Sequence, residues 1–394
     1  MSAWPRVGVV GGSLGGLTAA LVLRDLGCDL DVWERSTSEL ESRGAGIVVL
    51  NETLRYLRER TSIRDDDVTI ATSTLRYLDT DGSVAHERPQ HYRYSGWHTL
   101  YRALLGRFDP TRYHLGAEVT SFEEEGDSVR VAFRDGTSAA VDLLVCADGI
   151  GSSARRRLLP DVVPAYAGYA AWRGTVQEHR VDDATLDALD DALVYQVLPQ
   201  SHILVYPIPN VDGATRSGRR LLNFVWYRNY PGNALEDLMT DREGVRRETT
   251  LPPGSVQAAH VTEMRAFAET HLAPALAQVV LGADEPFVQA VFDIDVPRMA
   301  FGRTCLIGDA AFALRPHIAA GTAKAASDGW ALADALTVAG GHVGTALDTW
   351  EARQVVVGRA ALERSRWNGE RSQALGTWRP EDRDLNFGLM GPLP

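Results

Sequence analysis

The 394-residue sequence holds only three cysteines, Cys28, Cys146 and Cys305, far apart in apolar stretches and without CxxC spacing. That excludes a disulfide framework and predicts buried thiols in a reducing compartment, with no metal site. Positive charge is also in short supply: 40 Lys and Arg against 52 Asp and Glu leave a formal charge of −12. General attraction to nucleic acid or to an anionic membrane is therefore not expected. No apolar run reaches the roughly 18 residues that a bilayer crossing needs. No secretory leader precedes the first apolar segment at Val7. The expectation is a soluble, cytoplasmic protein. Internal repeats and low-complexity tracts are missing too. His86, Glu87 and His91 fail as an HExxH zinc motif, because the spacing is one too long and Pro89 breaks a helix there.

What is present has ordinary globular composition, 45% hydrophobic and 23% charged, over a length that suits two packed domains. Arg6–Val10 reads as a buried strand and Gly11–Gly16 as a glycine-rich turn. A helix follows to about Leu26, with Gly16, Ala19, Ala20, Leu23 and Gly27 on its sheet face and Thr18, Arg24 and Asp25 facing away. Asp29–Glu34 is the second strand of a βαβ unit. Leu143–Ala147 and Thr304–Gly308 are two more short apolar strands ending in Gly/Asp turns. Between them Ala165–Val176, Ala192–Leu198, His202–Ile208 and Leu221–Tyr227 are rich in Val, Tyr and Trp, which predicts an antiparallel sheet. Thr322–Ala339 is a helix, and after Gly369 the chain turns polar and irregular. Trp378 in that tail covers either a cavity or a partner subunit, and a homodimer stays an open option.

The first turn carries chemistry. Gly11, Gly12, Ser13, Leu14 and Gly16 lie between a strand and a helix, the setting a dinucleotide fingerprint requires. Gly11 allows the tight turn, Gly16 allows close helix packing, and the helix start offers free N–H groups to a pyrophosphate. Ser13 replaces the usual second glycine and is still small. Glu34, at the end of the second strand, is placed to accept ribose hydroxyls. The same residues spell GxSxG, the nucleophile elbow of a serine hydrolase centred on Ser13. Topology disfavours that reading: only ten residues precede Gly11, which leaves no room for the upstream oxyanion loop.

Later motifs resemble one family. Gly302-Arg-Thr-Cys-Leu-Ile-Gly308-Asp309-Ala-Ala311, followed by Pro316, Gly321 and Asp328, is similar to the second FAD motif of the single-component FAD-dependent aromatic hydroxylases. Cys146-Ala-Asp148-Gly149, running through Ser152 to Arg155 and Arg156, resembles that family's DG motif. The likeness extends through Tyr166–Gly174, Tyr206–Pro209 and Arg315–Gly321, nearly the whole chain. It implies non-covalent FAD, with Gly308 and Asp309 at the ribityl and pyrophosphate region. Pro316, Ala320, Gly321 and Thr322 would border the flavin, and Arg35, Val48, Arg102 and Asp148 would support it. The helix beginning near Ala320 would turn its positive end toward the charge on reduced flavin. Phe312 departs from the family pattern, standing where many relatives carry His.

The resemblance implies an enzyme that takes electrons from NADPH or NADH and, through a C4a-hydroperoxyflavin, inserts oxygen from O₂ into a small electron-rich aromatic ring. Arg315–Gly321 and the Gly-Gly-Ser turn are most similar to members that hydroxylate dihydroxypyridines. Another tailoring monooxygenase, of aromatic or Baeyer–Villiger type, and a non-catalytic flavin-binding module are the alternatives; the WxWxIP motif of halogenases is absent. His202, Tyr206, Phe224 and Trp226 are substrate-binding candidates on the antiparallel sheet, half of which alternation must turn away. His317 is the candidate proton acceptor. The fold expected is α/β: a Rossmann-like FAD-binding domain (1–75, 98–164 and 292–370) interleaved with a mostly antiparallel substrate domain (76–97 and 165–291), then a tail, 371–394.

Overall fold

Val7, Val9 and Val10 are almost wholly buried, and the strand they form, Arg6–Val10, lies inside a six-stranded sheet. The computed structural model describes residues 4–40 and 46–391. In that sheet the order is Ala300–Phe301, Thr304–Leu306, Leu143–Cys146, Arg6–Val10, Asp29–Glu34, Tyr113–Leu115. All neighbours are parallel except the hairpin of the first two. Parallel strands buried on both faces need apolar residues throughout, which Leu143, Leu144, Val145 and Cys146 supply at 0% exposure.

The helix Leu14–Leu26 leaves the first strand and is buried on more than one side: Thr18 is 3% exposed, and Gly329 of the helix Gly321–Val338 packs on Ala19. Arg24, by contrast, is partly exposed, as expected. A three-stranded antiparallel sheet, Val119–Glu125, Ser128–Phe133 and Ser138–Val141, extends one side. The acidic run Glu123–Glu125 is exposed on it.

The second large element is a nine-stranded sheet. Its order is Thr250–Leu251, Phe287–Asp293, Ala165–Gln177, Leu221–Asn229, Ser201–Ile208, Ala192–Leu198, Ile70–Leu78, Val84–Gly96, Gly46–Val49. Every pairing is antiparallel except that between Ala192–Tyr195 and Thr74–Tyr77. The division expected at 75/76 therefore falls inside a strand, and residues 46–49 pair with 93–96 in this sheet. Hydrogen bonding carries the chain into the second sheet earlier than composition suggested.

One face of the nine-stranded sheet packs on the helices Ala258–His271 and Pro274–Gly282; the other faces a cavity. Behind that cavity runs Val343–Gln373, a helix of 31 residues, which corrects the expected break at Gly369. Gly369 is the place of closest approach. A methyl group there would lie 2.8 Å from Tyr169 Oη and 2.9 Å from His317 Cδ2, so the helix can press on this loop only without a side chain. Of the expected tail, 374–391 follow the helix and put Trp378 and Phe387 into the cavity wall, and 392–394 lie outside the described residues. No described helix is long and apolar enough to cross a membrane.

Candidate active site

Two cavities mark the ends of one elongated site and share Trp97 in their walls. The first, of about 230 Å³, is lined by Gly11, Ser13, Glu34, Arg35, Asp148, Gly149 and Arg156 among others. It opens where the first helix begins, so the unpaired N–H groups of Leu14 and its neighbours face it. Gly16 secures the geometry: a Cβ on it would sit 1.9 Å from the carbonyl oxygen of Gly11. Glu34 is 6% exposed and accepts the N–H of Gly12 and of Ser36, both at 2.9 Å. Each carboxylate oxygen keeps a further lone pair for a ribose hydroxyl. Asp148 caps the helix Ser153–Leu158 through Oδ2, while its buried Oδ1 has no partner, an acceptor left waiting for a ligand donor. Ser13 has no histidine among the residues lining this cavity, so the hydrolase reading has no base.

The second cavity, of about 330 Å³, lies under the nine-stranded sheet. Val48, Asp309, Pro316, His317, Ala320, Gly321 and Thr322 line it, which brings the second motif to its floor. The two motifs are joined through the protein: Ala325 packs against both Gly15 and Gly308. Asp328 accepts the N–H of Gly308 at 2.9 Å and pairs with Lys324 Nζ at 2.6 Å, all buried. Arg155 ties the DG segment to the same loop by donating to the carbonyl of Ala310 at 3.1 Å. Asp309 is exposed only in the sense that its carboxyl opens into this concave space. The protein packed round it pushes its pKa up to about 6, against the pull of Lys324 and Arg155. The loop before the helix Gly321–Val338 is held from below, where Arg315 pairs with buried Asp293 at 2.9 Å. Ala319 sits at φ +52, a strained conformation for a residue with a Cβ, and faces the cavity.

The roof is aromatic. Tyr195, His202, Leu204, Tyr206, Val225 and Tyr227 point down from three adjacent strands. In register, His202 lies opposite Tyr227 and Leu204 opposite Val225. The residues between them, Ile203, Val205, Phe224 and Trp226, necessarily point the other way. This corrects two substrate candidates. Phe224 and Trp226 are 0% exposed in the core against the helices, where Trp226 donates to Ser201 Oγ at 3.0 Å and packs on Phe267. His202 and Tyr206 line the cavity, and so do Val225 and Tyr227. Arg102 is exposed, and one of its contacts is a hydrogen bond donated to the carbonyl of Val211 at 2.7 Å.

His317 is the best-placed polar group. Its Nε2 lies 2.7 Å from Tyr169 Oη, and its buried Nδ1 has no protein partner. His202 Nδ1 lies 3.1 Å from Gln373 Nε2, and the two imidazoles are 5.3 Å apart. Burial pushes His202 down to about 3, and burial, then His202 and Arg315, push His317 well below 6.5. Both rings are therefore neutral near pH 7 and can each donate and accept one hydrogen bond. Sequence reasoning missed Trp97, Arg173 and Tyr195 as lining residues, and left Trp378 undecided. Only the alternation of the strands could have selected Tyr195, and nothing local marks Trp97 or Arg173.

A helix start open to a pyrophosphate-sized cavity, a distant carboxylate on the Gly-Asp loop, and an aromatic chamber under an antiparallel sheet point to the class of FAD-dependent monooxygenases. The comparisons with known proteins agree. The chain belongs to the FAD-binding domain family, whose profile matches residues 5–228, and an FAD-binding-domain-like profile matches 166–293. It is 38% identical over 386 residues to the 2,6-dihydroxypyridine 3-monooxygenase of Paenarthrobacter nicotinovorans, covering 98% of this chain and 96% of that one. It is 27% identical to the 6-hydroxynicotinate 3-monooxygenase of Pseudomonas fluorescens over 87% of this chain and 85% of that one. Among solved structures, 2,6-dihydroxypyridine-3-hydroxylase from Arthrobacter nicotinovorans superposes with a TM-score of 0.92 at 37% identity, covering 98% and 96%. HpxO of Klebsiella pneumoniae with FAD and uric acid shares the fold, at a TM-score of 0.75 and 22% identity over 96% and 90%. The protein is thus a flavoprotein monooxygenase that uses FAD.

Proposed function

We propose that this monooxygenase hydroxylates a small, electron-rich N-heteroaromatic ring of the dihydroxypyridine kind, with NADPH or NADH as reductant and O₂ as oxygen donor. The observation that carries the reading is the pair of neutral, buried histidines set 5.3 Å apart in an aromatic chamber beside Asp309 and Gly321. FAD, when bound, would supply the redox chemistry: two electrons from the nicotinamide and O₂ put one oxygen atom into the ring, and the other leaves as water. Glu34, Asp148 and the helix start at Ser13–Leu14 would hold its nucleotide end; Asp309, Val48 and the segment Pro316–Thr322 would hold its ring end. The positive pole of the helix Gly321–Val338 lies toward that ring end and favours negative charge there.

The protein's part is orientation, dryness and a proton. Tyr195, Tyr227 and Leu204 give the substrate an apolar lid, and Tyr206 is fixed by donating to the carbonyl of Gly46 at 2.9 Å. His317 Nδ1 accepts a ring hydroxyl proton, which makes the ring more electron-rich, and Tyr169 Oη holds the imidazole by its other nitrogen. His202 donates to or accepts from a second ring oxygen. Two hydrogen-bonding rings in an apolar chamber suit a ring with two polar oxygens better than a hydrocarbon, because a bare ring would leave them unpaired.

The test is direct. The purified protein is expected to be yellow, and 2,6-dihydroxypyridine is expected to perturb its flavin spectrum and accelerate NAD(P)H oxidation with formation of a hydroxylated product. If a panel of dihydroxypyridines, hydroxynicotinate and phenols neither binds nor stimulates that oxidation, the proposal falls.

A further inference from the structure

The substrate chamber has one wall that belongs to neither sheet. After the helix Val343–Gln373 the chain runs back across the chamber as a strap, residues 374–391, and sets Trp378 and Phe387 into its lining. The matched family profiles end at residue 293, well before this strap. Trp378 is 4% exposed. Its indole stacks on His202 at 5.3 Å and 20°, meets Tyr195 at 6.1 Å, and points Nε1 at Tyr77 Oη, 3.4 Å away. These partners, His202 and Tyr195, are themselves chamber residues.

The strap is fastened by the helix that precedes it. Arg371 pairs with Asp382 and, at 3.0 Å, with Asp384, and donates to the carbonyl of Thr377 at 3.0 Å. Arg364 donates to the carbonyls of Asn386 and, at 2.6 Å, Gly388. The N–H of Gly388 reaches the carbonyl of Ile318, next to His317, at 3.0 Å. Strap, His202 and the His317 loop are thus held in one arrangement, and the indole has a fixed distance to the histidines.

From this we infer that Trp378 is a specificity-determining residue that limits the substrate to a single ring. The inference rests on the function proposed above. An indole is itself a fused bicycle, so its presence on His202 occupies the space a second ring fused to the substrate would need. Its flat face also fixes the plane of His202 and so the direction of that hydrogen bond.

The experiment compares the holoenzyme with W378A and W378F, using 2,6-dihydroxypyridine and the fused two-ring 2,4-dihydroxyquinoline as probes. Binding is read from flavin absorbance, and kcat and KM from NAD(P)H oxidation and product. In W378A the quinoline is expected to bind about tenfold tighter relative to the pyridine than in the wild type, with W378F intermediate. The pyridine is expected to lose affinity, raising KM more than it lowers kcat. W378F keeps the aromatic contact should the alanine chain fail to hold flavin. An unchanged ratio of the two affinities, in W378A if it is folded and otherwise in W378F, overturns the inference. A wild type that hydroxylates neither ring, while the quinoline still tightens in W378A, overturns the proposed function instead and leaves the wall standing.

Discussion

The two ends of the site are built on different principles. The nucleotide end is made of backbone: a helix start, carbonyls at close quarters, and two carboxylates, Glu34 and Asp148, that spend part of their capacity on N–H groups of the chain. The ring end is made of side chains, projected by alternate residues of three strands and closed by a loop and a strap. Backbone geometry tolerates almost no change, because its atoms cannot rotate away. A side-chain chamber tolerates substitution in kind and changes what it accepts. The two ends should therefore fail differently when altered.

The largest effect is expected from Gly16→Val. The first added carbon would already sit 1.9 Å from the carbonyl of Gly11, and backbone can yield only by moving the helix off the sheet. FAD affinity should fall about 100-fold or more, roughly 3 kcal/mol, and the protein should purify without colour. Equal flavin content in this variant would end the claim that the nucleotide end is set by backbone contact.

His317→Ala tests the other end. FAD content should be unchanged, since His317 belongs to the chamber and its loop is anchored by Arg315 on Asp293. The value of kcat should fall about 100-fold, the usual loss for a missing proton acceptor. A loss confined to KM would make His317 a binding group and move proton acceptance elsewhere.

This contrast also explains what could be read from sequence. Arg6–Val10, Gly11–Gly16, Asp29–Glu34 and Asp309 were legible because each local pattern has one backbone use: an apolar strand, a glycine turn, a strand end, a Gly-Asp turn. The chamber was legible only in part. Leu221–Asn229 announces itself as a strand, yet which of its two faces meets the cavity is decided by pairing with Ser201–Ile208, a property of two segments. Phe224 and Trp226 are candidates by their place on the sheet, and a large aromatic side chain there suits a core as well as a pocket. The burial of the first helix beyond its sheet face was illegible for a related reason: one helix that packs on it, Gly321–Val338, lies some 300 positions away in the chain.

A pH experiment sharpens the ring end. His202 has a folded pKa pushed down to about 3 by burial, below its ordinary 6.5. The sign follows: the folded state resists a proton that the unfolded chain takes up, so stability is lost as pH falls from 6.5 toward 3. By pH 5 the loss from this group should be about 2 kcal/mol. His202→Gln should lack that part of the slope when unfolding by urea is compared at pH 7 and pH 5. His317 is shifted in the same direction, first by burial and then by His202, so the difference reads His202 together with its push on His317.

The smallest effects come from two positions on one strand, three apart, that alternation turns to opposite faces. Tyr227 lines the chamber with its ring 5.0 Å from that of His317, whereas Phe224 sits in the core on the opposite face. Phe224→Leu should lower stability by about 1 kcal/mol, as a conservative core change does, and leave KM for the aromatic substrate where it was. Tyr227→Phe removes one hydroxyl from the chamber side, so stability should hardly move while KM changes by a few fold, the scale of one hydrogen bond. If the two variants exchanged behaviour, Phe224 touching KM and Tyr227 touching only stability, the strand would be turned over. Every residue assigned to the roof would then have to be replaced by its neighbour.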